Sequence, residues 1–174
     1  MAAKKSENKM REIEIEKVVL SVGALGDELN KSAKLLEIIT GRKSVKTHAR
    51  KRIPAFGIRP GLEIGAKVTL RGKKAMGLLK NLLAAIENKL LEKQIGNEDF
   101  SFGIKEYIEI PGMEYQREIG ISGLSVTVVF KRKGKRVQIK KIKRGKIPQR
   151  QRVTKQEIIL YLQDKFKTEI LEKK

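Results

Sequence analysis

The chain has 174 residues, enough for a domain with a true core, and 40% of them are apolar, which separates it from disordered sequences. It carries 40 Lys and Arg against 20 Asp and Glu, a formal net charge of +20 that makes the compact state repel itself and points to a polyanionic partner. The absence of Cys excludes disulfides and thiolate metal sites and fits a cytoplasmic location.

No apolar run reaches the ~18 residues a membrane-spanning helix needs. The first ten residues, MAAKKSENKM, contain bases but no apolar stretch of a secretory signal, so no membrane partner is expected.

In chain order, residues 1–11 are polar and read as a flexible N-terminal tail. Ile13, Ile15, Val18, Val19, Leu20 and Val22 form a β-branched run that predicts a strand ending at Gly23. A turn at 23–26 leads to a helix over 31–40, its apolar side supplied by Ala33, Leu35, Leu36, Ile38 and Ile39, with Gly41 as its stop. Residues 43–58 read as an extended segment interrupted at Ile53-Pro54. In Arg59-Pro60-Gly61-Leu62, Pro60 presets its φ and Gly61 can take the positive φ of a type II turn. Residues 64–71 alternate as a strand. The spacing of Ala75, Leu79, Leu82, Leu83, Ile86 and Leu90 predicts one helix over 74–93. Strands are expected over 102–110, 125–130 and 137–142, then a helix over 155–167, where Thr154 and Glu157 have capping-box spacing. Consecutive strands argue against strict βαβ alternation. The fold class is therefore α+β: a mostly antiparallel sheet with helices packed on one face, plus basic loops and a basic arm. Residues 12–174 read as a single α+β domain that includes a basic arm at 131–152 and the C-terminal helix.

The charge is segregated. From Gly41 to Lys74 there are eleven bases and one acid; from Lys131 to Arg152 there are twelve bases and no acid. A solvated surface mixes signs, whereas a polyphosphate surface favours segregated bases that release its counterions. In the first window Lys67, Thr69 and Arg71 share one strand face while Val68 and Leu70 point to the other, which suits a sheet docked on nucleic acid. Arg42, Lys43, Lys46, Thr47, Arg50 and Lys51 extend that candidate surface. In the second window Gly134, Gly145 and Pro148 interrupt any helix. The bases Lys131, Arg132, Lys133, Lys135, Arg136, Lys140, Lys141, Lys143 and Arg144 are expected on a hairpin or extended arm.

Catalytic chemistry is poorly supplied, and the chain reads as a non-enzyme with no cofactor. His48 is the one histidine; alone it makes no zinc site, and its basic neighbours disfavour the imidazolium a Ser-His-Asp triad needs. A nucleic-acid-modifying enzyme would have to rely on carboxylates such as Glu106 and Glu109. An architectural DNA-binding protein stays open as a second alternative. No helix has a basic reading face of helix-turn-helix type, and aromatics are only 5%, which disfavours a base-stacking platform; backbone recognition of folded RNA fits better.

Four segments carry a family resemblance: IEKVVLSVG from Ile15, ITGRKSVKTHAR from Ile39, FGIRPGLEIGAKVTLRG from Phe56, and FSFGIKE from Phe100 followed by GLSVT from Gly123. In these, over residues 11–167, the chain resembles the large-subunit ribosomal protein L five family in its archaeal form. The resemblance implies a ribosomal, cytoplasmic protein that binds 5S rRNA and helps attach it to the large subunit in the central protuberance. It implies RNA contacts at Ser21, Arg42, Phe56 and Thr69. At Ser21 the commoner residue is Asn, and at Arg42 it is Gln, so contacts there differ in chemistry from the family pattern. It further implies that the loop Arg59, Pro60, Gly61, Leu62 and Glu63 reaches toward P-site tRNA. Large-subunit rRNA, neighbouring large-subunit proteins and a bridge to the small subunit are the other implied partners.

Overall fold

The computed structural model describes residues 8–171. The elements run β1 (Ile13–Gly23), α1 (Asp27–Thr40), β2 (Val45–His48), β3 (Glu63–Leu70), α2 (Lys73–Ala85), β4 (Lys89–Leu91), β5 (Asp99–Ile104), β6 (Leu124–Arg132), α3 (Arg136–Ile139), α4 (Lys155–Phe166) and β7 (Glu169–Leu171). Five strands form one sheet in the order β2-β3-β1-β6-β5, antiparallel at every junction, and β4 and β7 make a separate parallel pair. The α+β class follows. Of the expected tail over 1–11, residues 1–7 lie outside the described residues, and Lys9–Arg11 make a single 3-10 turn.

Strand alternation decides which face the helices cover. Val18 and Leu20 of β1, Val68 and Leu70 of β3, Val126, Val128 and Phe130 of β6, and Phe100 and Phe102 of β5 are buried. They join one core with Leu35 and Leu36 of α1, Leu79, Leu82 and Leu83 of α2, and Ile158 and Leu162 of α4. Phe130 stacks at 5.8 Å on Phe100 and meets the Tyr161 ring edge-on at 5.4 Å, fastening α4 to the sheet. The alternate positions face away from the helices. Among them Lys67, Ser101, Gly103 and Ser125 are exposed, and Val19, Ser21, Thr69 and Thr127 are half-buried.

Four predicted elements are corrected. The α2 helix stops at Ala85, because Glu87 and Asn88 adopt left-handed φ of 54° and 56° and reverse the chain. Leu90 then reaches the same core from β4, so its apolar spacing mimicked a continuing helix. The strand expected at 137–142 is instead the short α3 and a loop. Val137, Ile139 and Ile142 are all exposed, and the Gly145 amide donates to the Val137 carbonyl at 3.1 Å. The 43–58 segment is a strand only over β2; Ile53 and Ile58 then bridge around a 3-10 turn at Pro54–Phe56. Finally, β5 begins at Asp99 and ends at Ile104, after which Tyr107–Glu109 form a 3-10 turn. The start of α1 is also earlier than its apolar spacing suggests. Asp27 and Glu28 occupy its first turn, where carboxylates suit the helix dipole.

The Glu157 carboxylate accepts the Thr154 amide at 3.0 Å, as the capping spacing predicts, and also takes the Arg132 guanidinium at 2.6 and 2.7 Å. Burial works against the charge of Glu157, but the Thr154 amide and Arg132 outweigh it and hold the carboxyl below its ordinary value of 4.5. Replacing Glu157 by Gln is expected to cost about 1–2 kcal/mol at neutral pH, with Glu157 open enough to solvent to keep the value low. Because the folded-state pKa is depressed, this contribution is complete above pH 4.5 and fades as pH falls through the folded value. Urea denaturation of both forms across that range checks it: the two curves must converge in acid.

Candidate nucleic-acid interface

The helix-free face of the sheet is built from short side chains in register. One cross-strand row runs Val45, Lys67, Ser21, Ser125, Gly103; the next runs Thr69, Val19, Thr127, Ser101. Hydroxyls and glycine keep the face low, so a broad ligand can approach the backbone. At its β2–β3 end the turn after α1 leans in, and Arg42, Lys43, Val45, Lys67 and Thr69 line a shallow cavity of about 270 Å³. That turn is pinned by Glu37, whose carboxylate accepts the Ser44 amide at 2.9 Å and the Ser44 hydroxyl at 3.1 Å. The amide bond is the main reason the Glu37 carboxyl sits below its ordinary pKa, followed by the hydroxyl. The fold thus brings Ser21, Arg42, Lys43, Lys67 and Thr69 to one end of one face.

The remaining sequence-predicted residues fall elsewhere. Thr47 follows Val45 on the open face, but its hydroxyl donates to the Gly65 carbonyl at 3.0 Å. Gly65 is required there, since a Cβ would stand 2.8 Å from the Val22 carbonyl oxygen. Lys46 points to the other side of β2 and bonds Glu63 at 2.7 Å, with His48 3.8 Å from the same carboxylate. Arg71 is exposed at the end of β3, beside Lys73 and Lys74 in a first helical turn with no acid. Bases there oppose the helix dipole, a local cost that a bound anion would offset.

Between β2 and β3 the chain makes a basic loop closed by the Ala49 amide on the Leu62 carbonyl, at 2.8 Å, and the Gly61 amide on the Ala49 carbonyl, at 2.9 Å. Arg59 to Leu62 form the expected turn: the Leu62 amide donates to the Arg59 carbonyl at 3.2 Å, and Gly61 has φ +87°. Arg50, Lys51, Arg59, Pro60, Gly61 and Leu62 are exposed, and Phe56 is 71% exposed. Glu63 belongs to β3 and is occupied by Lys46.

The basic arm divides into two parts. At its root, Lys133 bonds Glu12 and lies 3.7 Å from Glu14, Lys135 bonds Glu16 at 2.5 Å, and Arg132 bonds Glu157. The Glu12 hydrogen bond is the main cause that raises the Lys133 pKa above its ordinary value. Lys131 is half-buried and has no ion pair among the described residues. At the tip, Arg136, Lys140, Lys141, Lys143 and Arg144 are exposed, with Arg144 bonded to the Gln138 carbonyl at 2.6 Å. Sequence reasoning missed Glu37, Ser44 and the acids that neutralise the root. The alternation Glu12, Glu14, Glu16 was the available signal, since period-two acids leading into and along the start of β1 can meet bases at the end of the neighbouring strand. Glu106 and Glu109, the carboxylates an enzymatic reading required, are both exposed. Among the described residues no helix is long and apolar enough to cross a membrane.

Residues 8–59 match the family model described as ribosomal protein L5, and residues 63–161 match the model for the C-terminus of the same ribosomal family. The chain belongs to the ribosomal protein L5 family. Among its L5 relatives, one from Nanoarchaeum equitans is 46% identical over 168 residues, covering 95% of this chain and 99% of the relative. One from Methanococcus maripaludis is 45% identical over 93% of each chain, and one from Archaeoglobus fulgidus is 44% identical over 91% of this chain and 90% of the relative. All three carry the name large ribosomal subunit protein uL5. The two matched regions meet at the basic loop, so the open face of this L5 chain combines β1 and β2 from the first with β3, β5 and β6 from the second.

Proposed function

We propose that this L5-family chain is a structural, non-enzymatic constituent of the large ribosomal subunit, and that its open sheet face binds 5S rRNA and helps attach it in the central protuberance. The observation that carries the reading is the low, hydroxyl-rich face whose β2–β3 end holds Arg42 and Lys67, neither with an ion-pair partner among the described residues. Lys67 and Arg42 supply charge for phosphates, and Ser21 and Thr69 supply short hydrogen-bonding groups for sugar and backbone. Phe56 offers an exposed ring to an RNA surface. The turn at Arg59 to Leu62 projects as a contact for P-site tRNA, Glu63 bracing its base through Lys46. The tip of the arm meets further large-subunit rRNA or a neighbouring protein.

Competitive binding of the purified protein to 5S rRNA, tRNA and duplex DNA at near-physiological salt tests this. A preference for 5S rRNA of about a hundredfold or more is expected, approaching the range of specific over non-specific binding. Replacement of Thr69 by Ala is expected to reduce that preference. Equal affinity for all three polyanions would reject the 5S rRNA reading.

A further inference from the structure

A second concave site lies at the root of the arm, where β6 ends beside the segments that lead into β1 and β5. It is a cavity of about 640 Å³, within the size range of small-ligand sites of about 300–1,000 Å³. Its lining has two chemistries. Met10, Val137 and Ile147 give an apolar wall, and Lys131, Lys146 and Arg150 give a basic rim with no acidic partner among the described residues. Glu98 is the lone acid of the lining, 4.0 Å from Arg152. Arg132 also lines the cavity. Its terminal nitrogens are engaged by the Arg11 carbonyl and Glu157, which tie the root of the arm to the chain before β1 and to α4.

We propose that this cavity receives a single nucleotide swung out of an RNA strand, with the phosphate on the basic rim and the heterocycle against the apolar wall. The volume far exceeds what a carboxylate side chain needs, and bare phosphate would leave the apolar wall unused. Unstacked nucleotides are the form in which proteins bind RNA bases individually. The close fit of the arm onto itself fixes the cavity's shape: a Cβ on Gly145 would stand 2.8 Å from Val137. The proposal rests on reading the arm as RNA-facing and adds a defined site to it.

The test is a titration of the full chain, followed by amide NMR, with AMP, adenosine and inorganic phosphate. AMP is expected to saturate shifts at Val137, Ile147 and Arg150 and to bind about tenfold tighter than either fragment, because it uses wall and rim together. The double change Lys146→Ala and Arg150→Ala, at exposed positions without an ion pair among the described residues, is expected to weaken AMP about tenfold and leave distant amides unmoved. Phosphate binding as tightly as AMP, or shifts spread over both basic windows, would overturn the proposal. If these fail while 5S rRNA selectivity stands, only the nucleotide site falls. If AMP binds as expected and 5S rRNA selectivity fails, the cavity stands without the 5S assignment.

Discussion

Changing Lys67 and Arg71 together to Ala is expected to lower affinity for 5S rRNA about ten- to hundredfold at near-physiological salt. The slope of log affinity against log salt should also flatten by about 0.7–0.9 for each phosphate that is no longer neutralised. Both side chains are exposed, and neither has an ion-pair partner among the described residues. Lys67 stands between Ser21 and Val45 in the cross-strand row, so its removal takes charge from the β2–β3 end of the candidate face. A control comes from the root of the arm. Lys133→Ala with Lys135→Ala also removes two positive charges, but these are already answered by Glu12, Glu14 and Glu16. That pair of changes is expected to lower stability and leave the 5S rRNA affinity and its salt slope nearly unchanged. Filter binding over a salt series separates the two cases.

The largest expected loss of stability comes from Phe130→Ala, at about 3–5 kcal/mol, the range for removing a large buried ring. Phe130 is 1% exposed and lies between Phe100 of β5 and Tyr161 of α4, so its removal opens a void where sheet and last helix meet. At about 2–4 °C per kcal/mol for a chain of this size, the melting temperature should fall by roughly 10 °C. Phe130→Leu refills most of the volume and should lose much less. Thermal unfolding monitored by circular dichroism measures both. Because Phe130 is on the helix side of β6, the folded fraction of either variant should still bind 5S rRNA.

The parts of the fold that were legible in the sequence are those where burial has a single period. Val18, Leu20, Val68 and Leu70 alternate along long strands, and the alternation also identified Lys67 and Thr69 as sharing the uncovered face. The failures share a physical cause. Leu90 carries a helical spacing into a strand because two left-handed residues re-aim the chain at the same core. Val137, Ile139 and Ile142 looked like strand residues by type, yet no neighbouring strand among the described residues accepts their ladder bonds, and the chain closes on itself at Gly145 instead. Pairing across long sequence separations was the hardest to read. Lys133 meets Glu12, and Arg132 meets Glu157, through the placement of β1 and α4 beside β6. A count of charge by window therefore overstated the free charge at the arm's root and gave no hint of the cavity between the arm and the body.

The most direct measurement of the central claim uses the absence of cysteine from the chain. A single cysteine placed at Thr69, on the open sheet face, or at Asn81, exposed on α2 across the core, reports which side the RNA covers. With saturating 5S rRNA, thiol labelling at Thr69→Cys should slow to the rate set by the free fraction, while Asn81→Cys labels as fast as in the unbound protein. Unchanged labelling at Thr69→Cys together with protection at Asn81→Cys would place the RNA on the helices and contradict the sheet-face site.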